Sequence, residues 1–256
     1  MTAMLEPLVF TLAAVAILWL ASLWLKDASI IDIWWGPGIA LAADIAALLS
    51  PPAGWGAAIA LCLVNLWAIR LGGHIFRRHA RLGEDHRYAA MRKKFGPYWW
   101  WWSLFQVFLL QGILIWLVAW PLMAVSWVGP VRPGGMEIFG FGLAAAGLIF
   151  EAVADAQLAR FRADAESKGR VLDTGLWAWS RHPNYFGDAA MWWGFFLAGL
   201  GAGGPWWLAT SPLVMTVLLL KVSGVSLLEE NIAERRPAYV DYVRRTSAFI
   251  PWPRKV

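Results

Sequence analysis

One short stretch of the chain holds an unusual number of side chains that could do chemistry. Within nine residues, Ser180–Asp188, the sequence SRHPNYFGD places a guanidinium, an imidazole, an amide, a phenol and a carboxylate. The apolar run Ala189–Leu200 follows directly, and polar groups at the edge of hydrocarbon are costly, so they are commonly functional. The alternative is a loop that bends at Pro183 and caps the next helix with Asn184 or Asp188. Capping needs one such residue and not five, which favours a functional site.

Further ionisable residues lie within or at the ends of apolar runs. Unpaired charges in hydrocarbon are costly, so these side chains are expected to face a bundle interior or an aqueous cavity. Glu151 and Asp155 are spaced i, i+4 and share one helix face, with Arg162 two turns beyond on about the same face. The alternative for any one of them is a snorkelling helix end. The set comprises Asp32, Asp44, Arg70, Glu151, Asp155, Asp188 and Lys221.

Cations suited to phosphate groups accompany these carboxylates. Arginine binds phosphate oxygens in bidentate geometry, although contact with anionic lipid heads is the alternative. No G-x-G-x-x-G follows a strand and no Walker sequence is present, so a dinucleotide would need a helical membrane site. No His or Cys pair has metal-ligand spacing, and we expect neither a metal nor nucleic acid as a partner. The cations are Arg81, Arg160, Arg162, Lys168, Arg170 and Arg181.

The elements that must position these residues are predicted to be membrane-spanning helices. Of the 256 residues, 59% are hydrophobic and 15% are charged, whereas ordinary soluble domains are about 45–50% apolar and about 25% charged. A span needs about 20 mainly apolar residues. The sequence therefore predicts an all-α integral membrane protein with seven transmembrane helices. The predicted spans are Leu5–Leu25, Ser29–Leu49, Trp55–Gly72, Trp99–Trp127, Gly135–Asp155, Tyr185–Gly203 and Trp206–Leu228.

The distribution of positive charge predicts the orientation of the helices. Lys and Arg concentrate in Arg70–Lys94, in Arg160–Arg181 and in the tail Arg235–Lys255, whereas the alternate breaks hold only Arg132. Because positive residues favour the cytoplasmic side, we expect the N-terminus outside and the C-terminus in the cytoplasm. No internal repeat is apparent, so we expect a single domain, residues 1–256, with a cofactor-binding half at about 135–256.

The polar stretch resembles the C-terminal signature of the steroid 5-alpha-reductase and sterol-reductase superfamily. That signature has an Asn-aromatic pair, one further residue, then Gly and Asp or Glu, matched here by Asn184, Tyr185, Gly187 and Asp188. Other segments resemble a subgroup of the superfamily that occurs in bacteria and plants. They are Ser29–Gly38, Trp67–Leu71 with Gly83–Asp85 and Arg87–Tyr88, and the tail from Leu228 to Pro251.

This resemblance implies a seven-helix enzyme that binds NADPH from the cytoplasmic side, in the inner membrane of a bacterium. It would reduce an activated C=C bond of a lipid-soluble, steroid-like or isoprenoid-like substrate. By position, Asn184 would hold the nicotinamide carboxamide, and Asp155 with the nearby arginines would hold the ribose and phosphates. The cofactor-binding residues implied are Arg81, Glu151, Asp155, Arg162, Arg170, Arg181, His182, Asn184, Tyr185, Asp188, Glu230 and Tyr242.

The substrate half of the site departs from the superfamily pattern. Steroid 5-alpha-reductases polarise the substrate ketone with a Gln-Glu pair in the second helix and a Tyr in the third. The corresponding positions here are Trp34-Trp35 and Trp67, and an indole donates one hydrogen bond without being a proton source at neutral pH. Asp32 is the nearest candidate acid and the predicted catalytic residue. The alternative is that Asp32 stabilises the N-terminus of the second span.

A second reaction class shares part of the same signature. Membrane methyltransferases that act on isoprenylcysteine or phospholipid carry Arg-His-Pro-x-Tyr-x-Gly followed by a Glu-Glu pair, matched here by Arg181–Gly187 and Glu229-Glu230. Asn184, Asp188 and the longer seven-span body favour the reductase. A third possibility, a non-catalytic receptor, carrier or scaffold, predicts no nucleotide binding and leaves the cytoplasmic arginines and carboxylates unexplained.

Overall fold

The computed structural model describes residues 2–50, 54–128, 132–167, 169–222 and 238–254, and every regular element in these ranges is helical. Short 3-10 turns occur at Gly96–Tyr98, Ala165–Ser167, Gly175–Ala178 and Trp206–Ala209, and π-helical turns at Leu104–Leu109 and Leu218–Val222. The α-helices are α1 Thr2–Leu25, α2 Ile30–Leu48, α3 Trp55–Leu82, α4 His86–Phe95, α5 Trp99–Ser103, α6 Leu110–Val118, α7 Trp120–Val128, α8 Gly135–Ala163, α9 Pro183–Gly201, α10 Thr210–Val217 and α11 Ala238–Arg245.

The described helices include five segments that are long and apolar enough to cross a membrane, as an integral membrane protein requires. Two of the seven predicted spans are not among them. Helix α9 covers most of the sixth, Tyr185–Gly203, but is less apolar because it carries Asn184 and Asp188. The seventh, Trp206–Leu228, is helical as far as Val222 and then leaves the described residues. The five segments are Met4–Leu25, Ile30–Leu48, Trp55–Leu82, His86–Val118 and Gly135–Ala163.

The fourth predicted span, Trp99–Trp127, was wrong as a single continuous helix. A π-helical turn lies within it, and a single residue, Ala119, separates the end of α6 at Val118 from the start of α7 at Trp120. Pro121 explains the second break, because proline has no N–H to donate to the preceding turn and its ring clashes with that turn.

The segment between the third and fourth predicted spans, residues 73–98, is mostly helical. Helix α3 continues without interruption to Leu82, and α4 follows from His86 to Phe95. The two helices are separated by Gly83–Asp85, where Gly83 has φ of 70°, a value that glycine adopts readily. The side chain of Asp85 then caps α4 by accepting a hydrogen bond from the backbone N–H of Arg87.

The chain divides into two compact units, the first comprising Met1–Glu137 and Ala198–Ser211. Within this unit α2 packs against α1, α3, α6 and α7. The buried face of α2 consists largely of glycine and alanine. A Cβ atom at Gly36 would lie 3.2 Å from the Cα of Ala68 on α3, so small residues allow the two backbones to approach closely.

The second unit comprises Ile138–Leu197 and Pro212–Val256, and within it α8 and α9 approach even more closely. A Cβ atom at Gly187 of α9 would lie 2.6 Å from the backbone nitrogen of Glu151 and 2.7 Å from the carbonyl oxygen of Gly147. A Cβ atom at Gly147 would in turn lie 2.6 Å from the carbonyl oxygen of Gly187. These distances leave room only for glycine, so this pair sets the spacing of the two helices.

The segment between α8 and α9 is tied both to α8 and to the C-terminal tail. The indole N–H of Trp177 donates to the carbonyl of Ala154 at 3.1 Å. The hydroxyl of Ser180 donates to the carbonyl of Phe249 at 2.8 Å, and Ser180 pairs with Ser247 in an isolated parallel bridge. The polar stretch therefore enters α9 from a fixed position.

Candidate functional site

The polar stretch meets the acidic end of α8 at one hydrogen bond. Asn184, in the first turn of α9, donates from Nδ2 to Oδ1 of Asp155 at 3.0 Å. The contact follows from the glycine packing, because Gly187 lies one turn further along α9 and contacts Glu151, one turn back along α8. The fold therefore brings together two residues, distant in sequence, that were predicted to line one site.

The oxygen of the Asn184 amide is the unusual atom of this pair. The carboxylate of Asp155 only accepts hydrogen bonds, so it fixes the NH₂ group toward itself and the oxygen away from itself. That oxygen, Oδ1, is buried and accepts no hydrogen bond within the part of the chain that the structure describes. Leaving a buried acceptor without a donor costs about 1–3 kcal/mol, and buried polar groups in folded proteins usually have a partner. The Asn184 oxygen is thus suited to accept an N–H from a ligand.

Two buried carboxylates lie one helical turn from this hydrogen bond. Glu151 is one turn before Asp155 on α8, and Asp188 is one turn after Asn184 on α9. Glu151 is 5% exposed and Asp188 is 7% exposed. Asp188 accepts a hydrogen bond at 3.0 Å from the indole N–H of Trp192, on the next turn of α9. The facing turns of α8 and α9 thus carry three carboxylates and one amide, a set that suits ribose hydroxyls and an amide ligand.

Two residues predicted to bind cofactor fasten the C-terminal tail. Arg181 donates from Nη1 to the carbonyls of Val243 at 3.1 Å and Thr246 at 2.8 Å. Tyr242 donates its hydroxyl to the carbonyl of Trp177 at 2.6 Å. Burial raises the pKa of the Tyr242 phenol above its ordinary value, so it remains a neutral donor at neutral pH. These contacts are structural, and the cofactor-binding roles of both residues stay predictions.

The two rings of the polar stretch stack on each other. The rings of His182 and Tyr185 are 5.7 Å apart between centroids, with an angle of 2° between their planes. His182 is buried, and its backbone N–H donates to the hydroxyl of Ser180 at 3.1 Å. This stacking fixes both side chains at the start of α9.

The cations predicted to hold phosphate lie at the surface. Arg162, in the last turn of α8, and Arg170, in the loop that follows, are exposed. Arg81 is also exposed, in the last turn of α3, and belongs to the first unit. Glu230 lies outside the described residues. Exposed cations of this kind can contact a soluble ligand or lipid head groups, so their assignment to the cofactor stays a prediction.

In the first unit, Asp32 accepts hydrogen bonds from Arg87 and Tyr88, two residues that are not among the predicted site residues. Arg87 donates from Nη2 to one carboxylate oxygen at 3.0 Å, and Tyr88 donates its hydroxyl to the other at 2.7 Å. Gln111 donates in turn to the Tyr88 hydroxyl at 3.1 Å. Both carboxylate oxygens of Asp32 therefore accept a hydrogen bond. The signal that could have found these partners is the adjacent Arg-Tyr pair in the next polar segment, since a carboxylate in a span needs donors.

Asp85 extends this network toward the surface beside a cavity of about 230 Å³, lined by Asp32, His79 and Asp85 among others. Its carboxylate accepts from Nε and the backbone N–H of Arg87 at 2.9 and 3.0 Å, and from Arg78 at 2.7 Å. Burial alone would raise the pKa of Asp85, but the hydrogen bonds and charges of the two arginines lower it below its ordinary value. Asp85 is thus a fixed negative charge.

The tryptophans that the sequence places where the superfamily pattern has its polarising residues differ in burial, and Trp34 and Trp35 are half-buried. Trp67 is fully buried. The indole N–H of Trp34 is buried and donates no hydrogen bond within the described residues. Trp34 thus offers one N–H donor that the described residues leave unpaired, and the nearest acid–base group in the sequence is Asp32.

Comparison with known proteins identifies the family to which this chain belongs, but the descriptions of its relatives name no activity. The sequence model of the family described as "Protein of unknown function (DUF1295)" matches residues 18–246. An uncharacterised protein of Schizosaccharomyces pombe is 28% identical over 276 aligned positions, which cover 92% of this chain and 76% of the yeast protein. No solved structure matches the chain.

Proposed function

The chain belongs to the DUF1295 family, whose description gives no activity, and we propose from its own residues that it is a membrane NADPH-dependent reductase. The proposed reaction adds a hydride to the β carbon of an activated C=C bond and a proton to the α carbon. The substrate would be lipid-soluble, of a steroid-like or isoprenoid-like class. The resemblance of the polar stretch to the steroid 5-alpha-reductase and sterol-reductase signature supports this reaction class.

The buried oxygen of Asn184 is the observation that carries the proposal. A nicotinamide carboxamide has an NH₂ group that this oxygen can accept, and Asp155 keeps the oxygen turned away from itself. When bound, NADPH supplies the hydride, and the protein supplies orientation and exclusion of water. An amide oxygen that receives no hydrogen bond from the described residues, on a helix pair packed through glycine, is pre-organised for that task.

The remaining predicted cofactor contacts follow from charge. Asp155 and the neighbouring buried carboxylates suit the ribose hydroxyls, which donate hydrogen bonds. Arg162 and Arg170 have guanidinium groups at the surface of the same unit, and guanidinium forks bind phosphate oxygens well. The further members of the proposed set are Arg81, Glu151, Arg181, His182, Tyr185, Asp188, Glu230 and Tyr242.

For the proton step we propose Asp32 as the acid, acting on the developing enolate through water. Asp32 accepts hydrogen bonds from Arg87 at 3.0 Å and from Tyr88 at 2.7 Å, and these contacts hold its carboxyl group in place. The proton that this acid supplies would go to the α carbon.

We also propose the finer membrane arrangement that the charge distribution predicts. The chain would cross the inner membrane of a bacterium seven times, with the N-terminus outside and the C-terminus in the cytoplasm. The surface arginines would then face the compartment that contains NADPH. A lipid-soluble substrate would reach the enzyme from the bilayer.

The test is a thermal-stability measurement on the detergent-solubilised protein with NADPH, NADH or S-adenosylmethionine. A ligand that binds only the folded state stabilises it by about 2.7 kcal/mol at a hundredfold excess over its Kd. We expect NADPH to raise the unfolding temperature more than NADH, and S-adenosylmethionine to leave it unchanged. A rise with S-adenosylmethionine alone would assign the site to the methyltransferase class, and no rise with any of the three would contradict a nucleotide-dependent enzyme.

A further inference from the structure

A second candidate site lies in the C-terminal tail of the second unit. It is a cavity of about 330 Å³, within the range of small-ligand pockets. Neither Asn184 nor Asp155 is among the residues that line it. The lining side chains relevant to its chemistry are Arg181, Val243, Arg244, Arg245, Thr246 and Trp252.

The described lining of this cavity carries positive charge and no carboxylate. Arg181 is held in place by the two carbonyls that it contacts at the end of α11. Arg245 pairs with Asp241, one turn earlier on α11, at 2.6 Å, and Arg244 is exposed. Asp241 offsets the charge of Arg245, and the exposed guanidinium of Arg244 remains to favour an anionic ligand with several acceptor oxygens.

Thr246 gives the cavity a hydroxyl for which the described residues provide no hydrogen-bond partner. The residue is 3% exposed, and its Oγ1 makes no hydrogen bond within the described residues. Its backbone is fixed, because its N–H donates to the carbonyl of Tyr242 at 2.9 Å and its carbonyl accepts from Arg181. A buried hydroxyl without a partner costs stability, so its retention beside three arginines points to a ligand oxygen.

Apolar side chains also line this cavity, and they indicate that its ligand belongs to a membrane surface. Val243 is 38% exposed and Trp252 is 66% exposed, and both line the cavity. Ile250, close by in sequence, is 62% exposed. Apolar side chains interleaved with arginines on a short helix are typical of segments that lie on an anionic membrane surface.

We propose that this cavity binds the phosphate of an anionic phospholipid head group and thereby holds the tail on the membrane surface. Arg244 and Arg245 contact the phosphate oxygens, the Thr246 hydroxyl donates to one of them, and Val243 and Trp252 contact the acyl-chain side of the interface. A free phosphate shares the head-group chemistry but not the apolar contacts. The proposal does not depend on the reductase, because lipid binding and not turnover is measured.

The test compares the full-length protein in nanodiscs of phosphatidylcholine alone and of phosphatidylcholine with phosphatidic acid. Thermal stability is followed for the wild type, Arg244→Gln, Thr246→Val and the control Arg77→Gln, which removes an exposed arginine from α3 that does not line the cavity. We expect phosphatidic acid to stabilise the wild type and Arg77→Gln. For Arg244→Gln and Thr246→Val, loss of one charge-assisted hydrogen bond weakens lipid binding about tenfold.

Thr246→Val also tests the proposal without lipid, because valine has nearly the same shape and lacks the hydroxyl. Since that hydroxyl makes no hydrogen bond to the described part of the chain, the variant in phosphatidylcholine is expected to be as stable as the wild type or more stable. Equal stabilisation of all four proteins by phosphatidic acid would overturn the site. Stabilisation of the wild type in phosphatidylcholine by inorganic phosphate, as strong as that by phosphatidic acid and equally lost in Arg244→Gln, would overturn the lipid as its source.

Discussion

At the scale of single residues, the Asn184 amide is the most informative group in the second unit. Its nitrogen donates to Asp155, and its buried oxygen accepts no hydrogen bond in the described part of the chain. A group arranged in this way is costly in the absence of a ligand, so its presence needs an explanation that packing does not provide. Recognition of a carboxamide is the explanation that its chemistry favours.

We predict that Asn184→Ala weakens NADPH binding at least about tenfold, because it removes a buried hydrogen bond to the carboxamide. The measurement is a titration of NADPH against the unfolding temperature in detergent. Asn65→Ala is a matched control, since Asn65 also donates to a carboxylate, that of Asp44, but lies in the first unit. Equal affinity in wild type and Asn184→Ala would remove the nicotinamide assignment.

The ionisation of the Asp85 carboxylate leads to a prediction about how the stability of the protein depends on pH. Its pKa is lower in the folded protein than its ordinary value of about 3.9, so its contribution to stability is complete well above that pH. As the pH falls through the folded pKa, the carboxylate is protonated and the contribution is lost. Asp85→Asn keeps the ability to cap α4 but not the charge, so we expect it to be less stable than wild type at neutral pH.

The corresponding measurement is denaturant unfolding of both proteins across the acidic range. The stability difference between wild type and Asp85→Asn is expected to shrink as the pH is lowered below about 4. A difference that stays constant down to strongly acidic pH would mean that the charge of Asp85 adds nothing, and that its effect comes from the cap alone.

At the scale of elements, the α8–α9 pair depends on glycine at the point of closest approach. The backbones of Gly147 and Gly187 leave no room for a Cβ atom, and this approach is what brings Asn184 to Asp155. The glycine of the sequence signature therefore has a packing role. It positions the polar residues on either side of it.

We predict that Gly187→Ala destabilises the protein by about 1–3 kcal/mol, because the added methyl group overlaps the backbone of α8. Gly142→Ala is the control on the same helix pair, since a Cβ atom there meets nothing within 4 Å. That variant should be unchanged or slightly more stable, as alanine is the better helix former. If Gly187→Ala unfolds at the wild-type temperature, the close packing of α8 on α9 is not important for stability.

At the scale of the whole molecule, the arginine and lysine distribution predicts an odd number of spans with the two termini on opposite sides. The structure supports five spans by length and composition and leaves the predicted sixth and seventh open. Orientation is therefore a question for experiment. It also decides which compartment supplies the proposed cofactor.

We predict that green fluorescent protein fused to the C-terminus fluoresces and that alkaline phosphatase fused there is inactive, as expected for a cytoplasmic end. Fused after Ser50, beyond the second span, alkaline phosphatase should be active, since the first outer connection lies there. The two reporters thus serve as controls for each other. An active alkaline phosphatase at the C-terminus would reverse the orientation or require an even number of spans.

The positions of the long helices and the importance of the polar stretch could be predicted from the sequence alone. Long apolar runs bounded by turn residues sufficed to predict helices α1, α2, α3 and α8, because hydrocarbon requires backbone hydrogen bonds to be satisfied within each segment. Helix α8 extends past the end of the predicted span, Asp155, to Ala163. The importance of the stretch from Ser180 to Asp188 could likewise be argued from residue types.

Only the tertiary structure decided which residues meet. The break before Pro121, the partners of Asp32 and the buried oxygen of Asn184 depend on contacts between segments far apart in the chain. The cavity beside Thr246 depends on how the tail folds back onto Ser180. Periodicity and composition report which side chains avoid water, but hydrogen bonds are short and directional, so their partners are fixed only once helices have packed.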